Sequence, residues 1–235
     1  MSATGGGEEA GDHHSGHGHG QGHGHDHDHS TTFQPDHSEP GTDAARIGLA
    51  LRELLIERGI YTADEERAVI ARLQGARPED GAAVVARAWV DGDFKRRLLA
   101  DGNPALRELG HELAPYEFTV LENTARIHNV VVCTLCSCYP RQLLGQSPAW
   151  YKSKNYRARV VREPRAVLAE FGVALGGDIE VRVHDSTAEL RYMVLPQRPA
   201  GTEGWPEDRL AALVTRDSLI GTQRVLRLPG SLGPE

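Results

Sequence analysis

Apolar residues recur at helical spacing through the first third of the chain, after a low-complexity start. In "DAARIGLALRELLIERGI" they predict a helix with Asp43 as its N-cap. "TADEERAVIARLQG" predicts a second helix, with Thr62 as N-cap, Glu65 completing a capping box, and Gly75 at its end. "DGAAVVARAWV", "DFKRRLLADG" and "PALRELG" predict three shorter helices. We therefore expect an all-helical N-terminal segment over residues 43–110.

The pattern changes near Tyr116 to short, β-branched stretches. "YEFTVLEN", "IHNVVVC", "DIEVRVHD" and "AELRYMVLP" predict four strands, with a turn at Asp185 to Thr187 between the last two. "EPRAVLAEFG" and "PEDRLAALV" predict helices, whereas "SPAWYKSKNYRARVV" fits neither pattern clearly. Strands that alternate with helices indicate an α/β (α+β) catalytic domain over residues 111–235.

Residues 1–42 form a separate segment, a tail rich in His, Gly and Asp. Its centre, "HHSGHGHGQGHGHDHDHS", has almost no apolar residues that could offset the entropy of ordering, so the composition predicts disorder. Interleaved imidazoles and carboxylates can chelate divalent metal ions. The tail is therefore either a metal buffer or only a solvated segment, and a metal-storage or metallochaperone protein is one functional hypothesis.

Charge and composition limit the remaining classes. A net charge of -7 argues against nucleic acid as a partner. The N-terminus shows no targeting segment, and the longest apolar runs are far too short for a membrane span. An odd number of cysteines in one cluster argues against a secreted disulfide framework. We expect a cytoplasmic protein that contacts neither nucleic acid nor membrane.

All three cysteines lie in the stretch "CTLCSC", as Cys133, Cys136 and Cys138. A zinc site would need a fourth ligand, which His128 or His184 could supply. An iron–sulfur cluster also prefers four thiolates, and a redox C-x-x-C pair would leave Cys138 without a role. Three inert buried cysteines within six residues are improbable. A metal or redox function is therefore expected.

The last interpretation is a compact claw around one metal ion. The sulfurs of Cys136 and Cys138 would lie in one plane with the backbone nitrogens between them, and Cys133 would bind from the axial side. The sixth position stays open, as a catalytic metal site requires. Amide-nitrogen ligands require a strongly Lewis-acidic, trivalent ion, which argues against zinc.

These residues resemble a known family. "VCTLCSC" is similar to the metal-binding motif of nitrile hydratase α subunits and thiocyanate hydrolase γ subunits. "WYKSKNYRARVVREPRAVLAEFG", "EVRVHDSTAELRYMVLPQRPAGTEGW" and "LVTRDSLIG" resemble the same family in the same order, over roughly Glu122 to Gly221. The resemblance implies a layered α-β-β-α catalytic domain of the nitrile hydratase α-subunit type.

The resemblance also implies the chemistry of the site. The metal would be non-corrin Co(III), because Thr134 matches the cobalt form of the motif. Cys136 would be oxidised to sulfinate and Cys138 to sulfenate, Cys133 would remain a thiolate, and the amides of Ser137 and Cys138 would complete the ligand set. The metal would polarise a C≡N group or acidify a bound water. The sulfenate oxygen of Cys138 is the other candidate nucleophile.

Partners follow from the same resemblance. Buried sulfur oxyanions need cations beside them, and in this family the arginines of a β-type subunit supply them at the subunit interface. The chain would thus be the α- or γ-type half of a hetero-oligomer that acts on a small C≡N substrate. A cobalt-insertion activator protein is also expected.

Arg141 is the residue that bears on the substrate. Ordinary nitrile hydratases have a Trp-Pro pair at the positions of Arg141 and Gln142, and the indole helps to form an apolar pocket. A guanidinium there favours an anion. We therefore expect a thiocyanate hydrolase γ-like subunit, converting thiocyanate to carbonyl sulfide and ammonia. The alternatives are a nitrile hydratase α subunit, converting a nitrile to an amide, and an interface ion pair as the role of Arg141.

Two residues are candidates for supporting roles around the metal ligands. Glu189 and Arg191 are two positions apart in a predicted strand, so both should point to one face. They would orient water or stabilise the claw, or else form a structural salt bridge with each other. A basic run is expected at an interface or a solvated surface; it comprises Lys152, Lys154, Arg157, Arg159, Arg162 and Arg165.

Overall fold

The structure is a computed structural model, and it describes residues 42–226. The predicted histidine-rich tail lies outside this range, so its metal-buffering role stays a prediction. The described elements are α1 (Thr42–Glu57), α2 (Ala63–Gly75), α3 (Pro78–Val90), α4 (Gly92–Ala100), α5 (Gly102–Glu108), β1 (Glu117–Glu122), β2 (Ile127–Val132), α6 (Arg141–Leu144), a 3₁₀ turn (Ala149–Lys152), α7 (Lys154–Arg159), α8 (Pro164–Glu170), β3 (Glu180–Asp185), β4 (Leu190–Leu195), α9 (Glu207–Ala211) and α10 (Arg216–Ile220).

Local capping signals place the N-terminal helices well. Thr62 caps α2, and its hydroxyl accepts a hydrogen bond from the amide of Glu65, whose carboxylate in turn accepts one from the amide of Thr62. Asp91 caps α4 by accepting hydrogen bonds from two amides of the first turn. The predicted N-cap Asp43 is instead inside the first turn of α1, where a carboxylate still complements the helix dipole.

The four strands form two separate parallel pairs. β1 pairs with β4, with Glu117 opposite Leu190, and β2 pairs with β3, with Ile127 opposite Glu180. The turn between β3 and β4 therefore does not form a hairpin but carries the chain from one pair to the other. Parallel partners require long connections, and the one from β2 to β3 contains the cysteines, α6, the 3₁₀ turn, α7 and α8.

Helices pack on both strand pairs and share one hydrophobic core with them. α10 contacts β4, α4 and α5 contact β1, and α8 contacts β3, whereas α3 packs on the helices α4, α6, α9 and α10. The core takes buried residues from helices and strands alike, among them Val84, Val85, Leu98, Leu106, Val130, Val132, Met193 and Val194. The mixed α/β architecture expected from the sequence is confirmed. Of the segment predicted as helical, α3 to α5 pack into this common core.

Residues 42–75, called the arm below, behave differently. α2 buries none of its residues, and α1 leaves Ile47 and Leu51 largely exposed. Arg52 of α1 and Glu66 of α2 form an ion pair, with the guanidinium Nε donating to the carboxylate at 2.8 Å. Among residues 42–226, no helix is long and apolar enough to cross a membrane.

A glycine fixes α10 against β2. Gly221 ends α10 with φ of 91°, and a Cβ there would lie 2.0 Å from the carbonyl oxygen of Asn129. Its own carbonyl accepts a hydrogen bond from Nε2 of buried His128 at 2.7 Å. This close approach secures the end of β2 that lies opposite the cysteines.

Candidate metal centre

The cysteine loop, residues 133–138, starts where β2 ends. Cys133 is 1% exposed and continues directly from the strand, whereas Cys136 is exposed and Leu135 is 89% exposed. The Sγ atoms of Cys133 and Cys136 are 3.4 Å apart, and those of Cys136 and Cys138 are 3.2 Å apart. All three sulfurs lie within 4.8 Å of one another. The loop therefore turns three thiols towards a single point.

The spacing of the sulfurs indicates the coordination geometry they fit. With metal–sulfur bonds of about 2.3 Å, two ligands at right angles would be about 3.3 Å apart and two tetrahedral ligands about 3.8 Å apart. The distances of 3.2 and 3.4 Å match the right-angled arrangement. Three soft donors in this arrangement fit an octahedral or square-based ion better than tetrahedral zinc.

Histidine does not complete the cluster in the described part of the chain. Nε2 of His128 is bonded to the Gly221 carbonyl, and Nε2 of His184 is 2.9 Å from the side-chain oxygen of Asn129. The potential metal-binding group found among residues 42–226 contains Cys133, Cys136 and Cys138 alone. The zinc site completed by His128 or His184 is therefore not formed.

The first half of the cysteine loop is fixed by β3. The amide of Thr134 donates to the carboxylate of Asp185 at 2.9 Å, and its hydroxyl donates to the other carboxylate oxygen. The amide of Ser186 donates to the Val132 carbonyl at 2.7 Å. The parallel register places Asp185 opposite Val132, at the carboxyl end of the strand pair. The sequence analysis did not assign Asp185, and its position at the end of a strand was the available signal.

The segment that fitted neither pattern clearly in the sequence, residues 147–161, also supports the cysteine loop. Tyr151, in the 3₁₀ turn, donates its hydroxyl hydrogen to the carbonyl of Cys138 at 2.8 Å. Arg157 of α7 lies 3.5 Å from the Thr134 carbonyl. Burial raises the pKa of Tyr151 well above its usual value, so its hydroxyl remains a donor at neutral pH. The sequence analysis did not assign Tyr151, and it placed Arg157 in a basic run expected at an interface or a solvated surface, whereas Arg157 is buried.

A cleft of about 340 Å³ opens beside the thiols. Its lining includes Cys136, Cys138 and three cationic side chains, those of Arg141, Lys152 and Arg191, and its described lining residues include no carboxylate. Arg141 is the first residue of α6. Arg141, the predicted substrate residue, therefore shares one positively charged cleft with Cys136, Ser137 and Cys138 of the predicted metal ligands.

At Gly145, the chain that follows α6 packs closely against the residue that follows the arm. Gly145 follows α6 with φ of 67°, and a Cβ there would lie 2.5 Å from the carbonyl oxygen of Ala76. Leu73 of α2 lines the cleft as well. The arm thus reaches the site although it is not part of the core.

Arg191 and Glu189 do not share a strand face. Arg191 is on β4, is 7% exposed, stacks on the ring of Tyr116 at 4.2 Å, and donates to the carbonyl of Thr187. Glu189 precedes β4, is exposed, and accepts a hydrogen bond from the Thr187 hydroxyl at 3.1 Å. The prediction that these residues share a strand face is therefore wrong, because Glu189 belongs to the turn before β4. The predicted salt bridge between them is not formed, since each side chain has another partner. The structure brings Arg191 into the cleft, and Glu189 does not line it.

The thiols differ in acidity without metal. Burial raises the pKa of Cys136, but hydrogen bonds from Cys138 and Cys133 and from backbone amides outweigh it, and the net pKa is lowered. The pKa of Cys138 is raised to about 12 by burial and by its hydrogen bond with Cys136, and the charge of Arg191 opposes this rise. Of these two thiols, that of Cys136 is the more acidic.

A larger hollow lies at the opposite end of β2. It has a volume of about 690 Å³ and includes His128, Arg198 and Arg224 in its lining. It contains no thiol, and the Arg198 guanidinium is already bonded to Thr202 and to the Trp89 carbonyl. Volume alone does not locate the chemistry here, so we place the candidate site at the thiols.

Comparison with known proteins assigns the family. The family model described as "Nitrile hydratase, alpha chain" matches residues 42–223. The chain belongs to this family. The matched range holds the arm, the core and the cysteine loop, so the nitrile hydratase α-chain fold accounts for nearly all described residues.

Relatives within the family carry two activities. The chain is 54% identical over 180 residues to the low-molecular weight cobalt-containing nitrile hydratase subunit alpha of Rhodococcus rhodochrous, covering 76% of this chain and 86% of the relative. It is 45% identical over 195 residues to the thiocyanate hydrolase subunit gamma of Thiobacillus thioparus, covering 78% and 80%. Both relatives are named as subunits, so this chain is an α-type subunit of a multi-subunit enzyme family.

A solved structure confirms the fold class. A recombinant thiocyanate hydrolase comprising partially modified cobalt centres superposes with a TM-score of 0.72 at 40% identity, covering 83% of this chain and 98% of that one. The predicted family, the nitrile hydratase α-type fold and the enzymatic nature of the chain are thereby confirmed. The ligand set, the oxidised cysteines and the roles of Arg141, Glu189 and Arg191 stay predictions.

Proposed function

We propose that this chain is the metal-binding catalytic subunit of a cobalt enzyme that hydrolyses thiocyanate to carbonyl sulfide and ammonia. The observation that carries the choice of substrate is the cleft. Arg141, Lys152 and Arg191 line it together with Cys136 and Cys138, without a carboxylate among its described residues. Three cationic side chains attract an anion that enters this cleft, whereas a neutral nitrile gains little from them.

The residues of this chain prepare the site in two ways. Cys133, Cys136 and Cys138 supply sulfur donors, joined in this proposal by the amides of Ser137 and Cys138. Bound Co(III) supplies Lewis acidity towards a C≡N group or a water molecule. Arg141 attracts the anion and orients it towards the thiols, and because the cleft is open to solvent, its contribution is smaller than that of a buried charge.

The proposal includes a β-type partner subunit. Leu135 and Cys136, at the tip of the cysteine loop, are exposed, and so is the apolar face of the arm. A partner that covers both would exclude water from the site and supply arginines to the oxidised cysteines Cys136 (sulfinate) and Cys138 (sulfenate). A cobalt-insertion activator and a cytoplasmic location stay predictions from the sequence.

A nitrile hydratase α subunit is the second candidate. The higher identity to a nitrile hydratase, 54% against 45% for the thiocyanate hydrolase subunit, favours it. Under this alternative Arg141 forms an ion pair with the partner subunit. The test is an assay of the co-purified complex on thiocyanate and on small nitriles, with and without the substitution Arg141→Trp.

For a thiocyanate hydrolase, we expect Arg141→Trp to lower kcat/KM for thiocyanate by at least about tenfold, because one cation beside the anion is lost. Turnover of a neutral nitrile should change little. Arg126→Trp is the matched control, since Arg126 is an exposed arginine near the opposite end of β2. Equal losses on both substrates would remove the argument for an anionic substrate.

The metal is tested separately. We expect about one cobalt per chain in the purified complex, and oxygen adducts on Cys136 and Cys138 in peptide mass spectra. Zinc bound to three unmodified thiols would contradict the proposed centre. Deleting residues 1–40 should leave turnover intact, whereas a metal-storage protein would lose most of its metal capacity.

A further inference from the structure

Two tyrosines of one short segment reach the backbone on either side of the point where the cysteine loop begins. Tyr151 is in the 3₁₀ turn and Tyr156 is in α7. Both are 0% exposed. The hydroxyl of Tyr151 donates to the carbonyl of Cys138 at 2.8 Å, and that of Tyr156 donates to the carbonyl of Val131 at 2.7 Å. The two contacts have the same chemistry but different targets.

The Val131 carbonyl belongs to a part of the chain that is already fixed. Val131 lies within β2 and pairs with His184 of β3. Adding the hydroxyl of Tyr156 therefore strengthens a strand whose course the sheet determines. Losing this hydroxyl should lower stability without moving the sulfurs.

The Cys138 carbonyl lies where the backbone has no such support. Residues 137–140 belong to no helix or strand, and α6 begins only at Arg141. No backbone hydrogen bond within residues 42–226 involves the Cys138 carbonyl. The Tyr151 hydroxyl thus holds the end of the cysteine loop, as the Asp185 carboxylate holds its start at Thr134.

We infer that Tyr151 is a positioning residue for the metal centre: its hydroxyl fixes the Cys138 backbone so that the Cys138 sulfur remains beside that of Cys136. The inference rests on the proposed metal-binding function. Without this hydrogen bond, the Cys138 carbonyl would have to find water or shift, and the 3.2 Å separation of the two sulfurs would no longer be held. Tyr151 acts through the backbone and touches no reacting atom.

The ring of Tyr151 is held independently of its hydroxyl. Its centroid lies 5.3 Å from that of Tyr139 and 5.9 Å from that of Tyr156, and Trp150 packs at 6.0 Å. A phenylalanine would keep these contacts because aromatic packing depends on the ring. Tyr151→Phe therefore removes the hydroxyl and little else, and Tyr156→Phe is its matched control.

The experiment compares the two variants in the complete complex and in the reduced full-length chain. In the complex, the readouts are the sulfur-to-metal charge-transfer spectrum, cobalt retention against a chelator, and the melting temperature. In the reduced chain, Cd²⁺ affinity is measured from thiolate-to-cadmium absorption. We expect Tyr151→Phe to shift the charge-transfer bands, to speed cobalt loss and to weaken Cd²⁺ binding by about fivefold. Tyr156→Phe should lower the melting temperature and leave all three metal readouts unchanged.

The outcomes separate this inference from the proposed function. A wild-type complex without cobalt would defeat the proposed function, while the cadmium titration would still report whether Tyr151 preorganises the thiols. A cobalt-containing complex in which the two variants give the same spectra, cobalt retention and cadmium affinity would overturn the role of Tyr151 alone. If Tyr151→Phe lowers the melting temperature of the complex, the cadmium titration at low temperature tests the role of Tyr151 in the folded chain. Unchanged Cd²⁺ affinity would then overturn that role.

Discussion

The arm and the remainder of the described chain, residues 76–226, use amphipathic helices in opposite ways. α3 buries Val84 and Val85 completely in the common core. α2 has the same length but buries nothing, and α1 leaves Ile47 69% and Leu51 53% exposed. The periodicity that predicts a helix therefore does not reveal which surface will cover its apolar face.

This difference matters for stability because helices of this length are marginal in water without packing. Within the chain, the Arg52–Glu66 ion pair joins α1 to α2, and α2 contacts α6 next to the close approach of Ala76 to Gly145. Those contacts are few beside the common core of the other elements. We attribute the missing contacts of the arm to the proposed partner subunit.

The largest expected effect tests the core side of the comparison. Leu98 of α4 is 0% exposed, so Leu98→Ala should lower the free energy of unfolding by about 2–5 kcal/mol through the cavity it leaves. Leu51→Ala in α1 is the matched change, and we expect a loss below about 0.5 kcal/mol. Urea unfolding of the isolated chain measures both. Equal losses would show that the arm belongs to the same cooperative unit.

The arm side is tested by assembly. Replacing Ile47 and Leu51 together by serine should weaken binding of the partner subunit by at least about tenfold, because the interface then buries less apolar surface. The unfolding free energy of the isolated chain should stay nearly constant. Val90→Ser, at another exposed apolar position, is the control, measured by the same titration of the partner. Equal weakening by both changes would contradict a specific role of the arm.

Local signals predicted the elements that local chemistry determines. Thr62 and Glu65 marked the start of α2 and Gly75 its end, because a capping box is satisfied within one turn. α6 and α10 were missed because helices of four or five residues carry no readable period, whereas the equally short α9 was predicted from the start signal at Pro206. The pairing of β1 with β4 and of β2 with β3 was equally out of reach, because it depends on contacts distant in sequence.

The residues of the candidate site also differ in whether their contacts are local or distant in sequence. Its three sulfur atoms come from six consecutive residues, so the sequence alone was enough to bring Cys133, Cys136 and Cys138 together. Their supports, Asp185 and Tyr151, come from β3 and the 3₁₀ turn and meet the loop only through the fold. Spacing can thus predict the ligands of a compact claw but not the residues that hold its shape.

A smaller effect separates the two regions by pH. Burial lowers the pKa of His128 below its ordinary value of 6.5, outweighing the bond to the Gly221 carbonyl, so the unfolded chain takes up a proton first as the pH falls. Stability from this group is complete above about pH 6.5 and declines below it. His184 adds to the decline, since burial lowers its pKa as well.

The stability of the arm should not decline over this pH range. Its Glu66 has a pKa lowered below 4.5 by the hydrogen bond from Arg52, so the ion pair remains intact until the pH falls below that value. Unfolding measured from about pH 7.5 to about pH 5.5 should show a loss that His128→Gln reduces. Amide exchange in α1 and α2, relative to α4, should not accelerate over the same range. Equal acceleration in α1, α2 and α4 would mean that the arm depends on the core.

The smallest expected effect concerns the ion pair itself. Glu66→Gln keeps a hydrogen-bond acceptor for Arg52 but removes the charge, and exposed pairs contribute little because solvent screens them. We expect slightly faster amide exchange in α1 and α2 of the isolated chain and no change in α4. With the partner subunit bound, the same variant should exchange like the wild type, because burial of the apolar face then holds the arm. Faster exchange in the bound state as well would place the stability of the arm in this chain alone, and the partner would no longer be needed to explain its exposed apolar residues.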